Sequence, residues 1–246
     1  SFFQVPTTLL AQVDAAISGK TGINHASGKN LIGSFCQPKK TFVDPTLLRT
    51  LSKEQMKEGL AEIIKYGVIM DKPLFWYIEE HVNPIRMFSY NDCPDIWHFL
   101  IEKSIQNKAK VVSQDEKEAD VREILNYGHT IGHAIELAFS YSGVSHGQAV
   151  AQGMVVEAQI ALLLKHISTD DFNRIKRLID LFDYDFSLEN VDSTVFFEAL
   201  SKDKKVRQGN IRFVVPLGIG STKTIQDVSE DVIRQAFNLC FGEGVL

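Results

Sequence analysis

Cysteine is scarce in this chain. Three occur in 246 residues, Cys36, Cys93 and Cys240, an odd number and widely scattered, so the sequence carries no disulfide framework. That usage fits a reducing, cytoplasmic compartment. Long apolar runs are missing as well. The most apolar stretch, Ala149 to Leu164, is interrupted by Gln152, Glu157 and Gln159, and therefore reads as a buried core helix instead of a membrane span or signal peptide. There is no excess of positive charge: 26 Lys and Arg against 31 Asp and Glu give a formal net charge of −5. Bulk charge thus gives no reason to expect nucleic acid as the main partner. Internal repeats and low-complexity tracts are absent. What remains is the make-up of a globular protein, 44% hydrophobic and 23% charged, long enough for one large domain or two small ones.

The texture changes near residue 45. Residues 1–45 are rich in Gly, Thr and Asn, with short apolar runs at Phe2 to Val5, Leu31 to Phe35 and Thr41 to Val43, a pattern of strands and loops. Beyond it the pattern is helical. Ser52-Lys53-Glu54-Gln55 has the form of a capping box, followed at helical spacing by Leu60, Ile63, Ile64 and Val68. Further helices are expected at about 95–113, 126–142, 147–166, 170–182, 193–201 and 229–241, and a late strand at Ile211 to Val215. The fold class expected is α/β plus all-α, with residues 1–50 closing an α/β domain and residues 51–246 forming a helical one. The start, Ser1-Phe2-Phe3 without Met or a polar lead-in, leads to the expectation that the chain enters mid-fold.

The densest chemical signal is Asn126-Tyr127-Gly128-His129-Thr130-Ile131-Gly132-His133, followed by His146-Gly147. Histidines four apart on a helix share a face, so His129 and His133 can aim at one point, and His146 could join them around a metal. Two helical histidines bonded to backbone or carboxylates explain the spacing equally well. The metalloprotease pattern H-E-x-x-H is excluded, because Thr130 follows His129. Glu62, among Leu60, Ala61, Ile63 and Ile64, is the natural carboxylate for a metal, although a surface pair with Lys65 at i,i+3 is the better reading of that segment alone. Ser18-Gly19-Lys20-Thr21-Gly22 and Gly28-Lys29-Asn30 look like phosphate-cradling loops. Neither is a P-loop, since Asp14 stands where G-x-x-x-x-G-K-[ST] needs its first glycine. Lys108, Arg122, Lys204, Lys205 and Arg207 add positive charge; singly, each reads as a solvated surface group.

Together these segments resemble the 3-dehydroquinate synthase family. The likeness runs in order through Gln4 to Asp14, Gly19-Lys20-Thr21, Gly28 to Gly33, Gln37-Pro38, Gly59 to Gly67, Leu125 to His133, His146 to Ala151 and Asp203-Lys204-Lys205. It implies the end of a Rossmann-like NAD-binding domain followed by a mostly helical domain that binds metal and substrate. It makes Glu62, His129 and His146 the ligands of zinc or cobalt, and His133 a substrate-side histidine, where spacing alone pairs His129 with His133. It places Thr7, Thr8, Lys20, Lys29, Leu47, Leu48, Arg49 and Thr50 at NAD. Asp14, Lys65, Lys108, Glu118, Arg122, Asn126, His133 and Lys204 or Lys205 fall at the phosphorylated sugar-acid substrate.

The activity implied is conversion of 3-deoxy-D-arabino-heptulosonate 7-phosphate to 3-dehydroquinate and phosphate. It proceeds by transient NAD-dependent oxidation, phosphate elimination, re-reduction and intramolecular aldol closure. A cytoplasmic homodimer is implied as well. Related sugar-phosphate cyclases, metal-dependent polyol dehydrogenases and an inert metal-binding fragment are the competing readings. Two positions depart from the family: Ser18 replaces a glycine, and Gln148 replaces a glutamate two residues after His146. The family's Gly-rich dinucleotide turn is also absent, so a preceding stretch with strand, glycine turn and helix is expected.

Overall fold

Ser52 begins the first long helix as its sequence requires. Its Oγ accepts from Gln55 N at 3.3 Å while Gln55 Oε1 accepts from Ser52 N at 3.0 Å, a reciprocal cap that satisfies two otherwise orphaned donors. In the computed structural model, which describes residues 2–25, 28–116, 121–184, 192–206 and 211–242, the elements follow in this order. First come β1 (Phe3–Gln4), α1 (Leu9–Val13), β2 (Lys20–His25), β3 (Gly28–Phe35) and β4 (Lys40–Thr41). A 3-10 turn at Pro45–Thr50 leads to α2 (Lys53–Ile69), α3 (Lys72–Glu80), α4 (Val82–Ile85) and α5 (Pro94–Gln114). A second 3-10 turn, Val121–Asn126, precedes α6 (His129–Ala138), α7 (His146–Leu163), α8 (Thr169–Asp180) and α9 (Ser193–Val206). The hairpin β5 (Phe213–Gly218) and β6 (Ser221–Ile225) and helix α10 (Glu230–Phe241) complete the chain.

The chain forms two compact units, and both are discontinuous: residues 1–63 with 87–122, and residues 64–86 with 123–246. In the first, β1 pairs in parallel with β4 and β2 pairs antiparallel with β3, with Lys20 opposite Phe35 and Gly22 opposite Gly33. Helix α1 packs on α5 and on the 3-10 turn Pro45–Thr50. The fully buried Leu9, Val13, Leu60 and Trp97 belong to this unit. Gln12, also buried, donates to the carbonyls of Pro6 and Asp44 at 3.3 and 2.9 Å and so ties the start of α1 to the 3-10 turn.

The second unit is built on α7. Fourteen of its residues are buried, because α6, α8, α10 and β5 all pack on it. A helix covered on every side is apolar all round, which is why Ala149 to Ala161 shows no polar stripe. The hairpin β5–β6 runs Phe213 opposite Ile225 to Val215 opposite Lys223.

Several expectations need correction. The segments at Lys20–Gly22 and Gly28–Asn30 are not loops that cradle phosphate; they belong to the paired strands β2 and β3, whose backbone groups serve the ladder, and Gly19 stands just ahead of β2. The helix expected from residue 126 starts at His129 instead, because Gly128 adopts φ 78°, a left-handed conformation that interrupts the helix and that glycine tolerates best. Helices α3 and α4 and strand β6 went unanticipated.

Candidate metal and substrate site

Three histidines meet in the second unit. His129 and His133 lie one turn apart on α6, and His146 is the first residue of α7. Their ring centroids are 5.4 Å (129–133), 5.5 Å (129–146) and 6.3 Å (133–146) apart. His129 Nδ1 lies 3.1 Å from the Tyr127 carbonyl oxygen, so with Nδ1 as donor the lone pair is on Nε2. His146 Nδ1 lies 3.5 Å from Glu136 Oε1. An imidazole whose far nitrogen is directed at a carbonyl or carboxylate is the usual support of a metal-ligating histidine. This donor set fits a borderline cation such as zinc or cobalt. Glu136, His133 and His146 also bring one ligand atom each to within 4.8 Å of one another, and Glu136 is absent from the sequence-based candidates.

Local chemistry explains why these side chains sit where they do. Ser145 Oγ accepts from Gln148 N at 3.2 Å and Gln148 Oε1 accepts from Ser145 N at 3.1 Å. The Gln148 departure therefore still closes a capping box, and that box starts α7 at His146. Asn126 ends the 3-10 turn before α6, with its Nδ2 buried and without a hydrogen-bond partner among the described residues. A buried donor of that kind costs about 1–3 kcal/mol unless something accepts from it, which suits contact with an oxygen-bearing ligand.

The sequence-predicted residues of the first unit fall into two groups. Lys108, 4% exposed, places Nζ 2.5 Å from Asp14 Oδ1 and 2.7 Å from the Asp14 carbonyl oxygen. Arg122, 2% exposed, donates from Nη1 to the Glu116 carbonyl at 2.8 Å and from Nη2 to that of Ser18 at 3.1 Å. Neither is the solvated surface cation that isolated residues suggested. Ser18 Oγ donates to the Ala15 carbonyl and accepts from Lys20 N, both at 3.2 Å, so the second departure adds bonds to the turn before Lys20.

The NAD-side set also lies in this unit. Thr8 caps α1 by accepting from Ala11 N at 3.2 Å, and Thr7 is exposed just ahead of it. Leu47, Leu48, Arg49 and Thr50 lie in the 3-10 turn, which Asp44 caps. The Thr46 hydroxyl and N–H hold the Asp44 carboxyl below its ordinary value. Arg49 lies over the Tyr90 ring at 5.8 Å. Lys29 is on β3 and Lys204 and Lys205 are on α9, with their side chains outside the description; Glu118 lies outside the described residues.

On α2, Glu62 and Lys65 are each 1% exposed. The surface ion pair favoured by spacing is therefore excluded, since burial of both groups leaves no solvated face for it.

Sequence reasoning also missed Glu157. It is fully buried and accepts from Gly128 N at 2.7 Å and Ile131 N at 3.3 Å. Burial pushes its carboxyl up to about 8 against the lowering effect of those backbone donors. The available signal was a carboxylate inside an apolar helix, read only as an interruption of a hydrophobic run.

Comparison with known proteins divides the chain in sequence order, unlike the two discontinuous units. Residues 59–206 match the family described as "3-dehydroquinate synthase C-terminal" and residues 1–58 match "3-dehydroquinate synthase N-terminal". The 3-dehydroquinate synthase of Rippkaea orientalis is 46% identical over 235 residues, covering 95% of this chain and 64% of the relative. That of Caldanaerobacter subterraneus subsp. tengcongensis is 45% identical over 233 residues, with 95% and 64% covered. The chain thus spans 64% of the length of these curated relatives. Among solved structures, 2-epi-5-epi-valiolone synthase from Streptomyces hygroscopicus subsp. jinggangensis, with NAD+ and Zn2+ bound, aligns at TM-score 0.88 and 25% identity over 97% of this chain and 65% of that one. A 2-deoxy-scyllo-inosose synthase complexed with carbaglucose-6-phosphate, NAD+ and Co2+ aligns at 0.79 and 29%, over 96% and 66%.

Proposed function

The chain belongs to the 3-dehydroquinate synthase family, and on that premise we propose that the protein converts 3-deoxy-D-arabino-heptulosonate 7-phosphate to 3-dehydroquinate and inorganic phosphate. The observation that carries this reading is the meeting of His129, His133 and His146 at the starts of α6 and α7. Bound NAD would supply a transient hydride acceptor, and a bound zinc or cobalt ion would supply Lewis acidity toward the hydroxyl oxygen on the carbon being oxidised. His129 and His146 hold that cation through imidazole nitrogens, and Glu62 completes the set from the helix that enters the second unit at Ile64. Thr7, Thr8, Lys20, Lys29 and the turn Leu47 to Thr50 hold NAD.

The remaining residues act on the substrate. His133 is exposed one turn from His129, where it can accept or return a proton at a substrate hydroxyl. The buried Nδ2 of Asn126 donates to a substrate oxygen, and Lys65, Lys108 and Lys204 or Lys205 balance phosphate and carboxylate charge. Asp14 holds the Lys108 ammonium in place, and Arg122 anchors the turn that leads to Lys20; for Glu118 a substrate-side role rests on the family resemblance alone. The reading includes a homodimer in the cytoplasm; no helix among the described residues is long and apolar enough to cross a membrane.

The test is phosphate release from the heptulosonate phosphate, with NAD and zinc or cobalt supplied. Release that depends on both is expected. A related cyclase is the second reading, favoured by structural neighbours that act under other names at 25–30% identity; it predicts NAD binding with turnover of a different sugar phosphate. Absence of both NAD affinity and phosphate release identifies an inert metal-binding fragment.

A further inference from the structure

Glu157 is the only carboxylate on α7, and solvent does not reach it. An uncompensated carboxyl in such a place costs several kcal/mol. Its compensation is specific. The carboxyl accepts from the backbone N–H groups of Gly128 and Ile131, two donors at the start of α6 that no helical carbonyl can satisfy. His129, the first residue of α6, lies between them. Two neighbours on α7 act on the same turn. Met154 offers its carbonyl to the Tyr127 hydroxyl at 2.8 Å, and Gly153 abuts the Gly128 carbonyl so closely that a Cβ would collide with it. The Tyr127 carbonyl, inside this clamp, faces His129 Nδ1.

Resting on the proposed metal reading, we infer that Glu157 is a positioning residue that fixes His129 as a cation ligand by holding the first turn of α6 through the backbone N–H groups of Gly128 and Ile131. The carboxyl oxygens meet donors on both sides. Glutamine in the same place keeps one accepting oxygen but puts an NH2 group, which has no lone pair to accept with, where the second oxygen stood, so one of the two backbone donors loses its partner and the turn that carries the imidazole loosens.

The experiment compares zinc dissociation constants of the wild type, Glu157→Gln and His129→Ala, measured by competition with a chromophoric chelator, alongside NAD affinity and turnover. Glu157→Gln is expected to weaken zinc about 10–100-fold, to leave NAD affinity unchanged, and to regain turnover when zinc is in excess. A folded Glu157→Gln protein with wild-type zinc affinity overturns this inference alone. Wild-type zinc affinity in His129→Ala overturns the ligand assignment and this inference with it. Should Glu157→Gln fail to fold, Glu157→Asp, which draws the carboxyl back by one methylene, is expected to bind zinc about 10-fold more weakly; unchanged affinity there overturns the inference equally.

Discussion

Lys108 Nζ bonds twice to one residue, to Asp14 Oδ1 at 2.5 Å and to the Asp14 carbonyl oxygen at 2.7 Å. The residues are 94 positions apart in the chain, so this contact fastens the end of α1 to the middle of α5. Removing Asp14 leaves an ammonium on a side chain only 5% exposed, whereas removing Lys108 leaves a carboxylate on a side chain 26% exposed. Asp14→Ala is therefore expected to destabilise the more, though by less than the ~3–5 kcal/mol of a fully buried pair. Lys108→Met should cost roughly 1 kcal/mol. In urea denaturation the double variant should fall short of the sum by about 0.5–3 kcal/mol; additivity would show that the pair is not coupled.

The metal assignment leaves out His133, which spacing alone pairs with His129. Glu62→Ala and His146→Ala are expected to lose zinc, and His133→Ala to keep it while losing turnover. Metal analysis per chain decides the matter: one zinc retained in either of the first two variants rejects the ligand set.

Stability of the metal-free protein should depend on pH through Glu157. Its folded carboxyl titrates at about 8, above the ordinary 4.5, so the folded state binds the extra proton. The contribution is fully present below pH ~4.5 and is lost as pH rises to about 8, by at most ~1.4 kcal/mol per pH unit. Urea midpoints of Glu157→Gln should show a flatter dependence in that window, and identical slopes for both proteins would contradict the linkage.

Thiol chemistry offers an independent check of the packing. Cys36 is exposed. Burial raises the Cys93 thiol and pushes that of Cys240 up to about 12. Because the thiolate is the nucleophile, a chromogenic disulfide reagent at pH 8 should label one cysteine quickly and the other two only on unfolding. Loss of the fast phase in Cys36→Ser identifies it; three fast thiols would mean that the helices around Cys93 and Cys240 open readily.

Much of the helical part was legible, because caps and periodicity agree there. Ser52 and Gln55 form the box that their spacing announces, and α5, α7, α8 and α10 begin within one residue of expectation. Helix α3 was hidden because Leu74, Phe75, Trp76, Tyr77 and Ile78 form a continuous apolar run with no helical stripe. Its marker is the Asp71 cap, which accepts from Leu74 N at 3.0 Å, with proline in the first turn. Strand β6 was hidden because all five of its residues are at least partly exposed, leaving no alternation to detect.

At the site, residue types were readable but partners were not. Lys108 and Asp14 both appeared as candidates, yet nothing local shows that one neutralises the other across 94 positions. Glu157 looked like a helix interruption and Glu136 drew no notice, because what they hold lies on other segments, the Gly128 to Ile131 turn for the first and His146 for the second.

Helix α7 carries His146 at its first position and Glu157 eleven residues later. An α-helix turns about 100° per residue and rises ~1.5 Å, so those eleven residues fix a single angular phase between the imidazole and the carboxyl. Inserting or deleting one residue between them would swing one group about 100° around the axis relative to the other, whatever its chemical character. An exchange of one side chain leaves that phase intact, whereas a change of length does not: on α7, spacing itself is under constraint.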